Sequence, residues 1–376
     1  MTTLVLHPLD TFFFRDGRPY NQDDPGQVEA ASLFPPYPPT VVGAVRAAVA
    51  RAMGWPGSAW DTAALGDGVN WQAGDRSLGR LRFSGPYILR SGEPLYPAPL
   101  NLVAGKDEGG ADLITYLAPS GQALDTDIGA VRLPTPIKAG RGFKTLEGRW
   151  LDAKAMALAL SGAALTSDQM VATSLLSQTE PRIGIRRDTA RRTTAERALY
   201  AAGHVRPAQD VALAIDVKAL PDVALSGNLA PIGGEGRSVW IEQRDHAIQL
   251  PRVPELTPGK DGFLRYTVVL VTPADLDDKW PGPGERLVGS TGEVLPGKIV
   301  SACTGRAAMV GGWDGAARAP LPLRPLIPAG SVWFLETRAE EAEDVQSWHG
   351  RAIGRSTGWG FGRVLIGRWA AAGEET

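Results

Sequence analysis

The chain has 376 residues, of which 43% are hydrophobic and 21% are charged, and its formal net charge is −2. This length and apolar content suffice for a large core in two domains or one elaborated domain, and they exclude a wholly disordered chain. The charge excludes a protein that is basic throughout, so a nucleic-acid surface would need a local concentration of cations. No apolar stretch approaches the length of a transmembrane helix, and the N-terminus lacks a signal-peptide pattern, so we expect a soluble cytoplasmic protein. Cys303 is the one cysteine, which excludes an internal disulfide and a cysteine-based zinc site.

The first predicted elements are a strand and a helix, joined by an aromatic and proline-rich connection. Thr3–Pro8 predicts the opening strand, and the aromatic run after it breaks at the turn dipeptide Asp16-Gly17. Thr40 is a candidate N-cap, because the valines after it recur with helical spacing as far as a terminating Gly54. We expect this short, one-sided helix to pack on a sheet.

The middle of the chain predicts short strands and a second helix. Strand candidates lie at Leu81–Arg90 and Ala111–Pro119, and a helical turn is expected near Trp60–Leu65. Arg149–Gly162 has a helical pattern that ends at a glycine.

Strands dominate the second half. We predict them at Asp210–Leu220, Arg237–Gln243, Phe263–Pro273, Lys298–Gly305 and Ser331–Thr337, before a glycine-dense loop that enters a last strand. Many strands with few, separated helices are typical of an α+β fold with antiparallel sheets covered on one face. A duplicated β-α-β-β-α-β unit fits this order, with one domain in residues 1–209 and the other in residues 210–376.

Arginine is unevenly distributed along the chain. Of the 39 basic residues, 31 are Arg and 8 are Lys, and a GC-rich genome would explain that excess equally well. The segment Glu180–Arg206, however, contains seven Arg and only three acidic residues, which gives it a local net charge of +4. The paired arginines of this segment fit a hairpin that carries phosphate-binding side chains on both arms, and the alternative is a solvated face with local ion pairs. The candidates are Arg182, Arg186, Arg187, Arg191 and Arg192.

Two glycine-rich loops predict close approach of another backbone. The sequence PIGGEGR at Pro231–Arg237 precedes a strand, so it matches neither a P-loop nor a dinucleotide-binding fingerprint. Its Gly233, Gly234, Gly236 and Arg237 could face a phosphate, or they could form an ordinary hairpin turn. Gly358–Gly367 repeats the pattern near the C-terminus, with Arg355 and Arg363 beside it.

Two N-terminal motifs carry further candidates. In DTFFFRDGRPY, Arg15 and Arg18 flank a tight turn and could reach a partner, although an ordinary strand and turn explains the pattern as well. In PPYPPTVVGAVR, Gly43 and Arg46 lie near the start of the helix. A glycine there costs about 1 kcal/mol against alanine, so it either admits a close RNA backbone or packs on the sheet.

Catalytic and metal-binding patterns are weak. His7, His204, His246 and His349 are scattered, with no metal-ligand spacing, and no nucleophile motif is present. We therefore expect neither a metal nor a cofactor, and no small-molecule substrate.

The motifs DTFFFRDGRPY, FPPYPPTVVGAVRAA, EPRIGIRRDTARRTTAERALY, IGGEGR and GWGFGRVLIG occur together and in order, and they span most of the chain. This set resembles the third subunit of the Cmr effector complex, a RAMP protein of type III-B CRISPR systems. The resemblance implies two ferredoxin-like (RRM-like) domains with antiparallel sheets, RAMP glycine loops and inserted loops. It also implies a non-catalytic, RNA-binding role in antiviral defence, in which the subunit holds the 5′ handle of the crRNA. The implied protein partners are the large polymerase-like subunit and the neighbouring backbone RAMP subunit.

The resemblance also assigns roles to the candidate residues. Gly233, Gly234, Gly236 and Arg237 would form the RNA-facing loop, and Arg15 and Arg18 would lie near the handle or buttress that loop. Pro181–Tyr200 would be a projecting hairpin.

Two alternatives stay open. A RAMP endoribonuclease that processes precursor crRNA without metal could use a histidine as general base, and His204 is the better placed of the two candidates, His7 and His204. The other alternative is the equivalent handle-binding subunit of a type III-A complex.

Overall fold

The structure is a computed structural model. It contains two main sheets, joined by helices, short strands and loops. The described residues are 1–16, 29–57, 61–67, 70–121, 123–126, 129–188, 190, 193–277, 280–314 and 319–369. Side chains at 29, 129, 185–188 and 193–200 are not described.

The elements form a mixed α/β fold with mostly antiparallel sheets. The α-helices are α1 (Pro38–Ala52), α2 (Thr62–Leu65), α3 (Ala153–Ser161), α4 (Thr173–Leu176) and α5 (Ala342–Ser347), with 3₁₀ turns at Trp71–Ala73, Asp75–Leu78, Ser167–Gln169 and Ala339–Glu341. The strands of the first half are β1 (Thr2–Pro8), β2 (Glu29–Ala30), β3 (Arg82–Arg90), β4 (Glu93–Pro97), β5 (Leu102–Lys106), β6 (Asp112–Pro119), β7 (Leu124–Thr126), β8 (Gly129–Val131), β9 (Pro134–Pro136), β10 (Arg141–Thr145), β11 (Arg149–Leu151), β12 (Met170–Ala172), β13 (Ser177–Asp188) and β14 (Thr193–Pro207). Those of the second half are β15 (Val211–Lys218), β16 (Leu229–Pro231), β17 (Ser238–Arg244), β18 (Phe263–Leu270), β19 (Lys298–Cys303), β20 (Ala308–Val310), β21 (Trp313–Asp314), β22 (Ala319–Pro320), β23 (Arg324–Leu326), β24 (Val332–Arg338), β25 (Trp359–Gly360) and β26 (Val364–Arg368).

The first sheet has the order β12-β11-β4-β3-β15-β1-β17-β16, with β25 added parallel to β3. Helix α1 covers one face of this sheet, where Val41, Val45 and Val49 pack against strand residues such as Leu6 and Leu213. Because side chains alternate between the two faces of a strand, the residues next to these in sequence point to the opposite face. That alternation decides which strand residues remain available for a partner.

Helix α1 begins two residues before the predicted N-cap. Tyr37 is the extended residue before the helix, and Pro38 is its first residue. A proline suits this position because its fixed φ is helical and its missing N–H has no partner in the first turn. The run of prolines therefore starts the helix, and Thr40 lies inside it.

The second sheet has the order β19-β24-β18-β26 and is fully antiparallel. One face packs through Phe334 and Leu365 against Tyr96 of the first sheet and Met156 of α3. The other face, which includes Tyr266 and Trp333, is buried against α5 and the long loops around it. The two sheets therefore share one continuous apolar layer.

Every strand predicted from the sequence is present, with ends that differ by at most three residues. The second predicted helix is shorter than expected, because Arg149–Leu151 forms a strand and Asp152 then caps α3 by accepting a hydrogen bond from the Ala155 N–H at 2.7 Å. No helix in the described part of the chain is long and apolar enough to cross a membrane.

The predicted boundary after residue 209 does not coincide with the division between the two sheets. β15 hydrogen-bonds to both β3 and β1, and β17 hydrogen-bonds to β1. Four strands from beyond residue 209, β15, β16, β17 and β25, are therefore part of the first sheet. The division into two domains itself stays a prediction.

His349 links the end of the second sheet to the loop that joins the sheets. Its Nε2 donates to the Pro251 carbonyl at 2.8 Å, and its Nδ1 accepts a hydrogen bond from the Ile366 N–H at 3.1 Å. Burial lowers the pKa of His349, and the charge of Arg363 lowers it further. The neutral ring is thus the form that fits this position.

We expect the folded protein to lose stability as the pH falls below about 6.5, where the unfolded histidine takes up a proton that folded His349 resists. His349→Gln removes this group, so the difference in unfolding free energy between pH 7 and pH 5.5, measured with urea, should be smaller in the variant. His246→Gln, at an exposed position, is the control. An identical pH dependence in wild type and His349→Gln would contradict the assignment.

Candidate nucleic-acid interface

The arginine-rich segment forms the hairpin predicted from its sequence. β13 and β14 pair antiparallel from Ser177↔Pro207 to Asp188↔Thr193, with an irregularity between Ile185 and Arg187. The backbone of Arg186 and Arg187 lies near the tip, where side chains are not described, and Arg191 and Arg192 lie outside the described residues. Ile183, on the same arm, is 74% exposed. The hairpin therefore projects from the sheets rather than adding to their cores.

The aromatic run lies at the base of this hairpin. Phe12 and Val205 exchange two backbone hydrogen bonds of 2.7 and 2.9 Å, which fixes the run against β14. Side chains of an extended segment normally alternate between core and surface, but Phe12, Phe13 and Phe14 are all buried. Phe13 is covered because its ring stacks on His204 at 5.1 Å and the glycine loop lies over its backbone.

The glycine loop, Gly233–Arg237, docks directly on the aromatic run. The Gly234 N–H donates to the Phe13 carbonyl at 2.9 Å. A Cβ on Gly233, whose φ is +67°, would lie 2.5 Å from that same carbonyl oxygen, so glycine is required there by conformation and by space. Gly236 also has a positive φ of +65°, but nothing lies within 4 Å of its Cβ position. The loop thus has one side fixed to the protein and one open side.

A cluster of arginines and carboxylates joins the loop to the hairpin. Asp10 accepts hydrogen bonds from Arg237 at 2.8 Å, Arg182 at 3.0 Å and Arg206 at 3.1 Å. Glu180 accepts from Arg206 at 2.5 Å and from Arg182 at 2.9 Å. Three guanidinium groups thus lie around two carboxylates, and we call these five residues the Asp10 cluster.

The charges of the Asp10 cluster sum to +1 at neutral pH. Hydrogen bonds from Arg206 and Arg182 lower the pKa of Glu180. Partial burial acts to raise the pKa of Asp10, but hydrogen bonds led by the one from Arg182 outweigh it and lower that pKa. Both carboxylates are therefore ionised, and each guanidinium is held in place while the group keeps an excess positive charge.

Sequence reasoning found only part of this cluster. Arg182 and Arg237 were predicted, whereas Asp10, Glu180 and Arg206 were not singled out as site residues. Asp10 lies 172 residues from Arg182 and 227 from Arg237, so no local pattern could indicate these pairs. Arg206 and Glu180 at least mark the ends of the basic segment, and that segment was the available signal.

Comparison with known proteins identifies the family. A family model described as CRISPR-associated protein (Cas_Cmr3) matches residues 4–369, nearly the whole chain. The chain belongs to this family. The family indicated by the ordered motifs is therefore confirmed. No curated protein matches the chain.

Solved structures similar to this chain include chains of CRISPR effector complexes. A chain of the type III-B Cmr-beta bound to cognate target RNA and AMPPnP, state 1, matches with a TM-score of 0.51 and 16% identity, over 88% of this chain and 86% of that one. A chain of Cmr-beta bound to cognate target RNA gives 0.49 and 16%, over 92% and 89%. A chain of the type III-A Csm3-Csm4 subcomplex gives 0.36 and 10%, over 89% and 92%. At 16% identity, the first of these matches supports a similarity of fold only.

Arg46 of this Cas_Cmr3 family member is not at the surface. It is 3% exposed, its Nη2 donates to the Leu65 carbonyl at 2.7 Å and to the Ser77 carbonyl at 2.9 Å, and its guanidinium lies 5.3 Å from the centre of the Trp359 ring. Burial lowers the pKa of Arg46 to about 10, which still leaves it charged. This environment argues against the predicted RNA contact of Arg46, because the group is committed to carbonyls inside the fold. Gly43, by contrast, is exposed with open space at its Cβ position, so it does not pack on the sheet.

The C-terminal glycine segment serves contacts within the chain. A Cβ on Gly360 would lie 2.3 Å from the Gly85 carbonyl oxygen, and one on Gly362 would lie 2.0 Å from that of Ile353. This segment is therefore not a second open loop. Arg355 beside it is paired with Asp277, and the Nε of Arg363 is buried. Neither arginine adjoins the Asp10 cluster through a hydrogen bond or ion pair described here.

The remaining candidates lie around the aromatic run. Arg15 is exposed, and its backbone pairs with that of Ser32, shortly before the proline-rich run. Arg18 lies outside the described residues. His204 is 2% exposed within β14, and its Nδ1 lies 3.1 Å from the Thr11 hydroxyl. It is therefore a buried strand residue, and burial together with the charges of Arg182 and Arg237 lowers its pKa. Among the described residues, no group of three or more His, Cys, Asp or Glu side chains is arranged to hold a metal ion.

The two positive-φ glycines of the loop provide a matched test of this docking. We expect both Gly233→Ala and Gly236→Ala to cost about 1 kcal/mol from the left-handed conformation, while Gly233→Ala adds about 1–3 kcal/mol of overpacking against Phe13. Unfolding free energies of the two variants measure the difference. Equal losses would mean that the loop does not rest on Phe13.

Arg46 provides a second test. We expect Arg46→Ala to lower the unfolding free energy by about 3–5 kcal/mol, because two buried carbonyls lose their charged donor. Arg51→Ala, at an exposed position on the same helix, should change it by less than about 0.5 kcal/mol. The folded fraction of Arg46→Ala should bind RNA as wild type does. A specific loss of RNA affinity without a loss of stability would restore Arg46 as a surface contact.

Proposed function

We propose that this chain is a non-catalytic RNA-binding subunit of a type III-B CRISPR effector complex, and that the Asp10 cluster and glycine loop hold the 5′ handle of the crRNA. The observation that carries the proposal is the meeting of three arginines at Asp10, which joins Arg237 of the glycine loop to Arg182 and Arg206 at the base of an arginine-rich hairpin. Family membership and the fold supply the context.

The chemistry of the cluster suits a phosphodiester backbone. Arginine presents a planar fork that binds phosphate oxygens in pairs, and a charge-assisted bond of this kind is stronger than a neutral one. The side chain of Arg237 is 21% exposed, and its buried Nε has no hydrogen-bond partner among the described atoms. An arriving phosphate would meet donors whose positions are already fixed by carboxylates.

The strand order supports the finer proposal of two ferredoxin-like units. In a split β-α-β unit the first strand lies between the third and the fourth, with a helix in each crossover. In the first sheet, β1 lies between β15 and β17, and β3 lies on the far side of β15. The second sheet has the same arrangement: β18 lies between β24 and β26, and β19 lies on the far side of β24. The first unit keeps the helix of its first crossover, α1, and the second keeps the helix of its second crossover, α5. The glycine loop lies in the connection between β15 and β17, where the other helix of the first unit would be.

The proposed partners are based on the family to which the chain belongs and on the solved structures that resemble it. A chain of the Cmr-beta complex bound to cognate target RNA has the same fold, and we propose that this chain likewise assembles with a large polymerase-like subunit and a neighbouring backbone RAMP subunit. In that role it bridges the two proteins in the cytoplasm and leaves RNA cleavage to other subunits. The burial of His204 supports a non-catalytic role, since a general base must reach its substrate.

Arg237→Ala tests the RNA site, because it removes one guanidinium and leaves Asp10 with two others. We expect about tenfold weaker binding of a handle-bearing RNA at low salt, with a loss that shrinks as salt is raised and a salt slope reduced by about 0.7. Filter binding or fluorescence anisotropy with the full chain, alone and with its large-subunit partner, gives both quantities.

Arg90→Ala is the control, since Arg90 is also a partly exposed arginine paired with a carboxylate, Asp210, at 3.0 Å. It should leave affinity unchanged. Equal affinity of wild type and Arg237→Ala would remove the glycine-loop assignment. Metal-independent cleavage of the RNA at one site, lost in His204→Ala, would favour the endoribonuclease alternative instead.

A further inference from the structure

The face of the first sheet opposite α1 carries an ordered aromatic pair close to the glycine loop. His7 of β1 and Trp240 of β17 are register partners, and their rings stack with centroids 3.9 Å apart and planes only 8° from parallel. Val239 and Ile241, on either side of Trp240 in sequence, point into the α1 core, so strand alternation directs Trp240 away from it. The stacked pair thus lies on the outer face of the sheet, where His7 covers one face of the Trp240 ring and the ring remains 38% exposed.

A hydrogen-bonded carboxylate fixes the pair in this arrangement. The Nε2 of His7 lies 2.8 Å from Glu242 Oε2, and Arg244 Nε donates to Glu242 Oε1 at 2.7 Å. Hydrogen bonding from Arg244 lowers the pKa of Glu242, and the bond to His7 adds to this shift, so the carboxylate is ionised and accepts from the imidazole. The His7 ring therefore has a set orientation beside Trp240 without any ligand.

The pair lies within an exposed apolar surface that the fold does not require. Trp240 is 38% exposed, and nearby Leu9 and Leu229 are 55% and 61% exposed. Leu229 is the register partner of Trp240 on β16, and Leu9 donates its N–H to the Ser238 carbonyl at 3.3 Å. A large aromatic ring left accessible among exposed leucines is typical of a surface that is covered by a ligand.

The position of this surface favours RNA as that ligand. Trp240 lies three residues after Arg237, which immediately precedes β17, and three residues of extended chain correspond to about 10 Å. On the other side of the loop, β16 leads from Leu229 directly into the glycine segment. Single-stranded RNA is commonly bound by cationic side chains that follow its backbone and by aromatic rings on which its unpaired bases stack. Here an exposed aromatic ring follows the arginine of the glycine loop by three residues, which matches that combination of chemistry.

We propose that the His7–Trp240 pair is a stacking site for one unpaired nucleobase of the RNA whose phosphates lie at the Asp10 cluster. The proposal rests on the proposed function, because it needs an RNA strand at Arg237. The stacking site would add a second kind of RNA contact. Its contribution to affinity would be largely independent of salt and would come from one base. It also gives exposed Trp240 a role that packing does not.

A set of handle-bearing RNAs, each lacking one base, tests this pairing. We expect one abasic position to weaken binding to the wild-type chain by about tenfold, the usual scale for one stacked base. Trp240→Ala should weaken binding of the intact RNA by a similar factor and should abolish the additional loss at that one position. Trp240→Phe should retain most of the affinity, and Trp313→Ala, at a 64% exposed tryptophan on β21, should behave as wild type.

The outcomes separate this proposal from the proposed function. If Arg237→Ala weakens binding and Trp240→Ala does not, the stacking site is wrong while the RNA site stands. If Trp240→Ala weakens binding equally for all abasic RNAs, its effect is structural and the proposal also fails. Unchanged RNA affinity with weaker capture of the large subunit would show that this surface binds protein instead. If neither variant affects RNA binding, the proposed function itself fails.

Discussion

Asp10 holds together parts of the chain that are distant in sequence. Its carboxylate accepts hydrogen bonds from Arg182 on β13, Arg206 on β14 and Arg237 at the end of the glycine loop. Three guanidinium groups this close together would repel one another, and Asp10 with Glu180 offsets that repulsion. The relative position of hairpin and loop therefore depends on two carboxylates. The same carboxylates reduce the net positive charge that an RNA would meet. The cluster would therefore attract RNA less strongly than three unpaired arginines, but its guanidinium groups are held in fixed positions.

Glycine has three different roles in this fold, and the sequence alone does not distinguish them. Gly233 and Gly362 both have positive φ and both leave no space for a Cβ beside a backbone carbonyl, so they serve packing within the chain. Gly236 has the same conformation with open space around it, and Gly43 has open space on a helix. A glycine-rich motif predicts a close approach of backbones, but only the fold shows whether the second backbone belongs to the same chain. That is why the C-terminal segment, similar in composition to the first loop, is a packing element.

The sequence predicted local structure well and the site in part. Strands such as Thr3–Pro8 and the arginine-rich hairpin could be predicted because alternation, turn residues and paired charges lie within a few positions of one another. Arg46 could not be recognised as a core residue, since its partners are the backbone carbonyls of Leu65 and Ser77, which no sequence pattern marks. Asp10 was missed for a related reason, because its importance comes from partners that only the tertiary fold brings near. The motif order identified the family, whereas the assignment of individual arginines needed coordinates.

The aromatic run explains why the first motif and the glycine loop occur in the same chain. Phe13 contributes its carbonyl to the Gly234 N–H and its ring to His204, while Phe12 pairs with Val205 of the hairpin. The glycine loop and the hairpin therefore both pack on the aromatic run, and these contacts bury its phenylalanines. A substitution there would displace the arginines without removing any of them. The open side of the loop and the packing of the aromatic motif are therefore linked, because the loop keeps one side open only while Phe13 fixes the other side.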